Sequence, residues 1–190
     1  MFDRRISASD EERKGEKGDK RLHRYNSGME VKKLLAYADW SKDLLRSTVE
    51  KYPDVWNRKF ETTSNFKSIY ALTAHIAAAE ERLQMRIFGQ PRPEPGFEDR
   101  CGESIAEVFA GWDDFRSTTH QFVSTATAED LAALHHLSFP QAGLDVHRSV
   151  EDLLFHVFNH QTYHIGQIST TLQRWGIEPP NFDFLLMPDL

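Results

Sequence analysis

From Met29 onward, apolar residues return at intervals of three and four, the spacing that turns one stripe of a helix toward a core. Val31, Leu34, Ala38, Leu45 and Val49 mark a first helix. It must stop near Tyr52-Pro53, because proline cannot continue a helix and restricts the residue before it. Ile69, Leu72, Ile76, Ala79, Leu83 and Ile87 mark a second helix over about 65–88, with Gly89 where a C-terminal cap belongs. Pro91, Pro93, Pro95 and Gly96 then impose a loop. A third helix, over about 103–126, carries Ile105, Val108, Phe109, Trp112, Phe115, Phe122 and Val123, and a short helical turn is expected at 128–131. Between Leu134 and Arg148 the period changes. LHHLSF and LDVHR flank Pro-Gln-Ala-Gly, which reads as a small hairpin, with a plain loop as the alternative. Ser149 followed by Asp152 has the pattern of a capping box and opens a fourth helix, ending near Trp175-Gly176. The last residues, IEPPNFDFLLMPDL, are apolar enough to pack back.

Four long amphipathic helices and one longer crossover predict an all-α fold, an antiparallel four-helix bundle with a small β-hairpin between helices three and four. The bundle domain spans 29–190. Residues 1–28, rich in Gly, Glu and Lys and poor in apolar side chains, read as a disordered or loosely docked tail.

Composition narrows the function. Among 190 residues there are 9 His and 1 Cys, and the net charge is -6. A single Cys excludes a disulfide framework and a cysteine-only metal cage. No apolar run approaches the roughly 20 residues of a membrane span, and the N-terminus lacks a signal-peptide core, so the expectation is a cytoplasmic protein that is neither exported nor embedded. Residues 1–28 hold 8 basic and 6 acidic side chains, which leaves the folded part more acidic than the whole chain. Nucleic acid is held mainly through Lys and Arg on phosphates, so an acidic domain argues against that partner.

The histidines carry the candidate chemistry. With Leu153 at the centre of the fourth helix's core stripe, a turn of about 100° per residue places His160 and His164 each about 20° from it. Two core-facing imidazoles cost on the order of 1–3 kcal/mol each unless their nitrogens find partners. A pair at i, i+4 converges on one point, as in metalloenzymes that set two ligands on one cation. The alternative is a pair of core histidines bonded to a carbonyl, a serine or a tyrosine. His75, about 60° from Leu72 and the one His of the second helix, can supply a third imidazole. Three imidazoles would hold a divalent metal and leave a coordination position open. His156, one turn before His160, is read as a hydrogen-bonding neighbour of the ligands, with a further ligand or a plain interior residue as the competing roles. His23, His120, His135, His136 and His147 read as surface or loop residues, although His136 or His147 could cap the site if the hairpin folds over it. Cys101 has no basic neighbour except Arg100 and is not read as a nucleophile. Glu80-Glu81 and Asp113-Asp114, adjacent and so facing different directions, read as solvated surface. There is no phosphate-cradling glycine loop.

The segment LLFHVFNHQTYHIGQISTTLQRWGIEPPNFDFL resembles the C-terminal signature of the DinB-like (DinB/YfiT) superfamily of metal-binding four-helix proteins. YADWSKDLL at 37–45, ALTAHIAAAEERL at 71–83 and the stretch from Ile105 to Trp112 are similar to its first three helices, so the resemblance spans about 30–186. Two positions depart from it. Ile165 stands where the superfamily commonly has Arg in a YHRGQ pattern, and Ser41 and Lys42 follow Trp40 where Asn is usual. The resemblance implies a homodimer and a metal triad of His75, His160 and His164 for Zn, Ni, Mn or Fe. It further implies thiol-dependent transferase or isomerase chemistry, in which a low-molecular-weight thiol cosubstrate binds the metal as thiolate. The expected reaction is transfer of that thiol to an electrophilic small molecule, with hydrolysis by metal-activated water a close second. Tyr163 and Gln167 are expected as contacts to substrate or to the ligands. The non-catalytic alternative is a metal-binding dimeric stress-response protein.

Overall fold

The computed structural model describes residues 27–63, 65–140 and 143–189. The tail expected at 1–28 lies outside the described residues except for its last two, which already belong to the first helix. In chain order the helices are α1 (Ser27–Lys51), α2 (Ile69–Ile87), α3 (Phe97–Arg100), α4 (Ile105–Thr125), α5 (Ala128–Ala132) and α6 (Val150–Arg174). The strands β1 (Leu134–Phe139) and β2 (Leu144–Ser149) lie between α5 and α6 and pair antiparallel, with Leu134 opposite Ser149 and Phe139 opposite Leu144. The described chain is thus mostly helical with one two-stranded sheet, and the hairpin reading holds over the plain loop. None of these helices is long and apolar enough to cross a membrane.

Local chemistry sets the ends. Ser149 accepts from the Asp152 amide while the Asp152 carboxylate accepts from the Ser149 amide, the reciprocal cap the sequence predicts. Ser104 and Glu107 form a second such box on α4. After α2, Gly89 adopts φ 61°, and after α6, Gly176 adopts φ 75°, values that favour glycine. At both ends the following amides return to the helix: Gln90 to the Met85 carbonyl and Ile177 to that of Leu172. The start of α2 differs from expectation by four residues. Ser68 caps it by accepting from the Ala71 amide, and the Lys67 carbonyl just before it accepts from the Phe60 amide.

The four long helices pack in a ring, α1 on α4 and α6, and α2 on α4 and α6. Along the helix axes the apolar interior falls into two parts. One is built on Leu45, Val49, Leu72, Ile76, Trp112 and Ile168, the other on Val31, Leu35, Leu83, Val123, Leu154 and Val157. A layer of buried polar side chains separates them, and it corrects the reading of Glu80-Glu81 as solvated surface: Glu80 is 1% exposed and Glu81 3%. Glu80 accepts from Trp112 Nε1 (3.0 Å), Arg116 Nε (2.9 Å) and Thr119 Oγ1 (2.7 Å). Arg116 also donates to Asp39 (2.8 Å) and to Gln161 Oε1 (2.8 Å), and Gln161 in turn donates to the Ala38 carbonyl (2.7 Å) and Ser41 (2.9 Å). All four long helices are therefore joined by one connected set of hydrogen bonds. Glu81 is held by Arg100 of α3. Of the other acidic pair, Asp114 is exposed, whereas Asp113 binds Lys42 and Arg46 of α1.

One feature has no counterpart in the sequence pattern, and one expectation is met in part. The short α3 seats the buried Phe97 ring against Gly111 of α4, where a Cβ would come within 2.4 Å of the ring. The C-terminal segment does pack back, with Tyr37 donating to the Phe182 carbonyl at 2.7 Å, but Phe184, Leu185 and Leu186 stay exposed.

Candidate metal site

α2 contributes His75, and α6 contributes His160 and His164. Their rings approach to centroid distances of 4.9 Å (His75–His160), 5.1 Å (His75–His164) and 4.4 Å (His160–His164). One ring nitrogen of each lies within 4.8 Å of the other two, a group that could hold a metal ion. The site sits at the level of the polar layer, beside the apolar part that contains Leu72 and Ile76, as the helical phases require.

Neighbouring side chains set which nitrogen of each ring is free. Glu98 Oε1 lies 3.1 Å from His75 Nδ1, and a carboxylate only accepts, so Nδ1 carries the proton and Nε2 a lone pair. Gln167 donates its amide N–H to the Tyr163 hydroxyl at 3.2 Å, so its oxygen accepts from His164 Nδ1 at 2.7 Å and leaves His164 Nε2 bare. His160 Nε2 lies 3.1 Å from that bare nitrogen. Two lone pairs at this distance repel unless a proton or a cation lies between them. His160 Nδ1 is buried with no hydrogen-bond partner among the described residues. The donor set, three imidazoles with two orientations fixed by outer hydrogen bonds, suits a borderline divalent cation such as Zn, with room for further ligands.

Electrostatics favour the neutral form of the two α6 imidazoles. Burial, reinforced by His164 and His75, pushes His160 from 6.5 down to about 3. Burial also lowers His164. Burial alone would raise Glu98, but hydrogen bonds from His75 and Arg82 outweigh it and hold that carboxyl down from 4.5 to about 2. The unfolded chain therefore binds more protons than the folded one, for His160 between about pH 6.5 and 3 and for Glu98 between about 4.5 and 2. The metal-free protein should lose stability steadily as pH falls below about 6.5. Urea unfolding at about pH 7.5 and 5.5 checks this: a lower midpoint is expected at the acidic pH, and equal midpoints would contradict it.

The remaining expectations fall out unevenly. His156 is exposed, its ring 6.0 Å from His160, and it lines the adjoining cleft rather than joining the three-imidazole group. Tyr163 is 62% exposed, with its ring 5.0 Å from His164, and Gln167 binds His164 directly. The hairpin does reach the cleft, but through Phe139; His136 and His147 stack on each other at 4.9 Å on the exposed sheet. His120 binds Asp39 at 2.6 Å. Burial pushes the Cys101 thiol up, consistent with no nucleophilic role. Sequence reasoning missed Glu98 and Phe66. Phe66 stacks on His75 at 3.9 Å from the segment before α2, and Glu98 rides on the four residues of α3. A lone Glu after a proline-rich loop has no helical phase to mark it.

The comparisons with known proteins follow the same line. The sequence model of the DinB family matches residues 25–190. No curated protein sequence matches the chain significantly. Among solved structures, a DinB-like protein from Bacillus cereus ATCC 10987 superposes with a TM-score of 0.53 at 15% identity, over 76% of this chain and 94% of that one, a likeness of fold. With the family matched over nearly the whole chain, this protein belongs to the DinB family.

Proposed function

We propose that the protein is a divalent-metal-dependent enzyme that transfers a low-molecular-weight thiol to an electrophilic small molecule. The observation that carries this reading is the convergence of three imidazoles, two held from outside at Nδ1, beside a cleft of about 490 Å³ that His75 and His160 line. His75, His160 and His164 would hold the cation, which when bound lowers the pKa of a thiol or water at neutral pH and so supplies the nucleophile that the single Cys does not. Glu98 and Gln167 orient two of the rings. His156, standing apart from the group at the cleft wall, is free to contact a substrate rather than complete a four-imidazole cage, which favours an enzyme over a purely structural metal site. The ring of four long helices is read as the antiparallel bundle, in a cytoplasmic homodimer for which the exposed Phe155 and Tyr163 of α6 offer an apolar face.

The test is to load the purified chain with Zn, Ni, Mn or Fe in turn and follow a set of low-molecular-weight thiols with a panel of electrophiles. Metal-dependent loss of thiol and electrophile in equal amounts is expected. Loss of electrophile alone would assign hydrolysis, and no turnover with any metal would leave a metal-binding protein without catalysis. Glu98→Ala should weaken the cation by about 10–100-fold in a chelator competition, the usual cost of removing a partner of a ligating His. Unchanged affinity would mean that Glu98 serves only Arg82.

A further inference from the structure

The cleft beside the imidazoles runs along α2, which lines it with His75, Ala79, Arg82 and Arg86, positions i, i+4, i+7 and i+11 of a single helical stripe. Arg92, from the loop beyond α2, lines it too. In an acidic protein this places three guanidinium groups on one cavity, and they are not equally employed. Arg82 is bound to both oxygens of Glu98, at 2.8 and 3.0 Å. Arg92 has an exposed contact with Glu94 at 3.9 Å. Arg86 is half-buried and its side chain has no hydrogen bond or ion pair among the described residues; its guanidinium lies over the Phe139 ring, 5.1 Å from the centroid. Like charges at i, i+4 on a helix repel, and a partly buried cation without an anion is costly, so only the Phe139 contact offsets what Arg86 costs the fold. Burial, then Arg82 and Arg92, lower its pKa, the mark of a cation lacking an anion.

The Phe139 ring rests against the Arg86 guanidinium, whose fork matches a carboxylate or phosphate in two parallel hydrogen bonds. Between Arg86 and the imidazoles the lining includes Ala79, Leu83, Leu153 and Val157, with Phe66 at the His75 end, and the charged pair there, Arg82 and Glu98, is closed on itself. His75 and Arg86 are eleven residues apart, about 16 Å of helical rise. The Arg side chain leans back toward the start of α2 and shortens that span, which still exceeds a bare inorganic anion.

We propose that the substrate of this cleft is an elongated acid, with an oxyanion end gripped by Arg86 and assisted by Arg92, an apolar middle, and its reacting end at the three imidazoles. This rests on the enzyme reading for its last part only; the anion grip itself needs neither metal nor turnover. Calorimetric titration of the full-length chain, before and after metal removal, tests it with octanoate, octyl phosphate, octanamide and inorganic phosphate as probes. Octanoate and octyl phosphate should bind in both forms, and octanamide about 10–100-fold more weakly, the worth of charge-assisted hydrogen bonds. Arg86→Gln should bring octanoate down to the level of octanamide. Arg86→Lys should fall between, since an ammonium keeps the charge but loses the fork. Should Arg86→Gln fail to fold, the wild type decides: octanoate affinity must fall with added salt while octanamide affinity does not. Equal affinity for octanoate and octanamide, binding indifferent to Arg86→Gln, or phosphate binding as tightly as octyl phosphate would overturn the proposal. Absence of thiol transfer alongside the expected binding pattern would sink the proposed reaction and leave the anion grip standing.

Discussion

Untagged His160→Ala is expected to purify with metal at background level, while the wild type carries about one ion per chain. His160 is the pivot of the group: its Nε2 lies 3.1 Å from that of His164, and its ring stands 4.9 Å from His75. Without it, one imidazole remains on each of two helices, and the cation loses the i, i+4 pair. Removing a mere hydrogen-bonding partner of a ligand costs about 10–100-fold, so loss of a ligand should cost more than about a hundredfold. Thiol transfer should disappear with the metal. The side chain is only half-buried, so the fold should survive, and helical content by circular dichroism verifies that the loss is local. Unchanged metal content by elemental analysis would remove the triad as the binding site.

Arg116→Met should produce the largest change in stability. Arg116 is 2% exposed and is the main counter-charge of Glu80, itself 1% exposed. Methionine fills much of the volume but leaves a buried carboxylate with only Trp112 and Thr119 as donors. Taking one partner from a buried ion pair costs about 3–5 kcal/mol. In a domain of this size each kcal/mol shifts Tm by about 2–4 °C, so a drop of roughly 6–20 °C is expected by calorimetry. The double variant E80Q/R116M removes both charges and should recover a large part of that drop. A single-variant shift within about 2 °C would mean that the pair contributes little to the fold.

The two variants probe features of unequal legibility. The triad can be read from the sequence because each imidazole lies on a helix whose apolar residues define an angular reference; Leu153 locates His160 and His164, and Leu72 locates His75. The same method fails for Glu80. Helical phase reports which face a residue occupies, whereas the usual assumption that carboxylates seek water decides whether that face is dry. What overrides the assumption is Arg116, 36 residues away on α4, and no local pattern announces that they meet. The hairpin is legible from its change of period, and the glycine stops from the chemistry of helix ends. α3 is too short for any periodicity, and with it Glu98 and the Phe97–Gly111 contact stay hidden. The start of α2 is placed four residues early because the stripe itself begins only at Ile69, and Ser68, the cap that stops the helix there, is one of several polar residues before it.

The buried amide of Gln161 has a mechanical meaning for the neighbouring site. It follows His160 directly on α6 and is tied on its own side of the helix to Ala38, Ser41 and Arg116. A helix keyed in this way can neither rotate about its axis nor slide along it without breaking all three bonds at once. The azimuth of His160 and His164 is therefore written into the folded chain before any cation arrives. Folding by itself thus aims two of the three imidazoles, before anything binds between them.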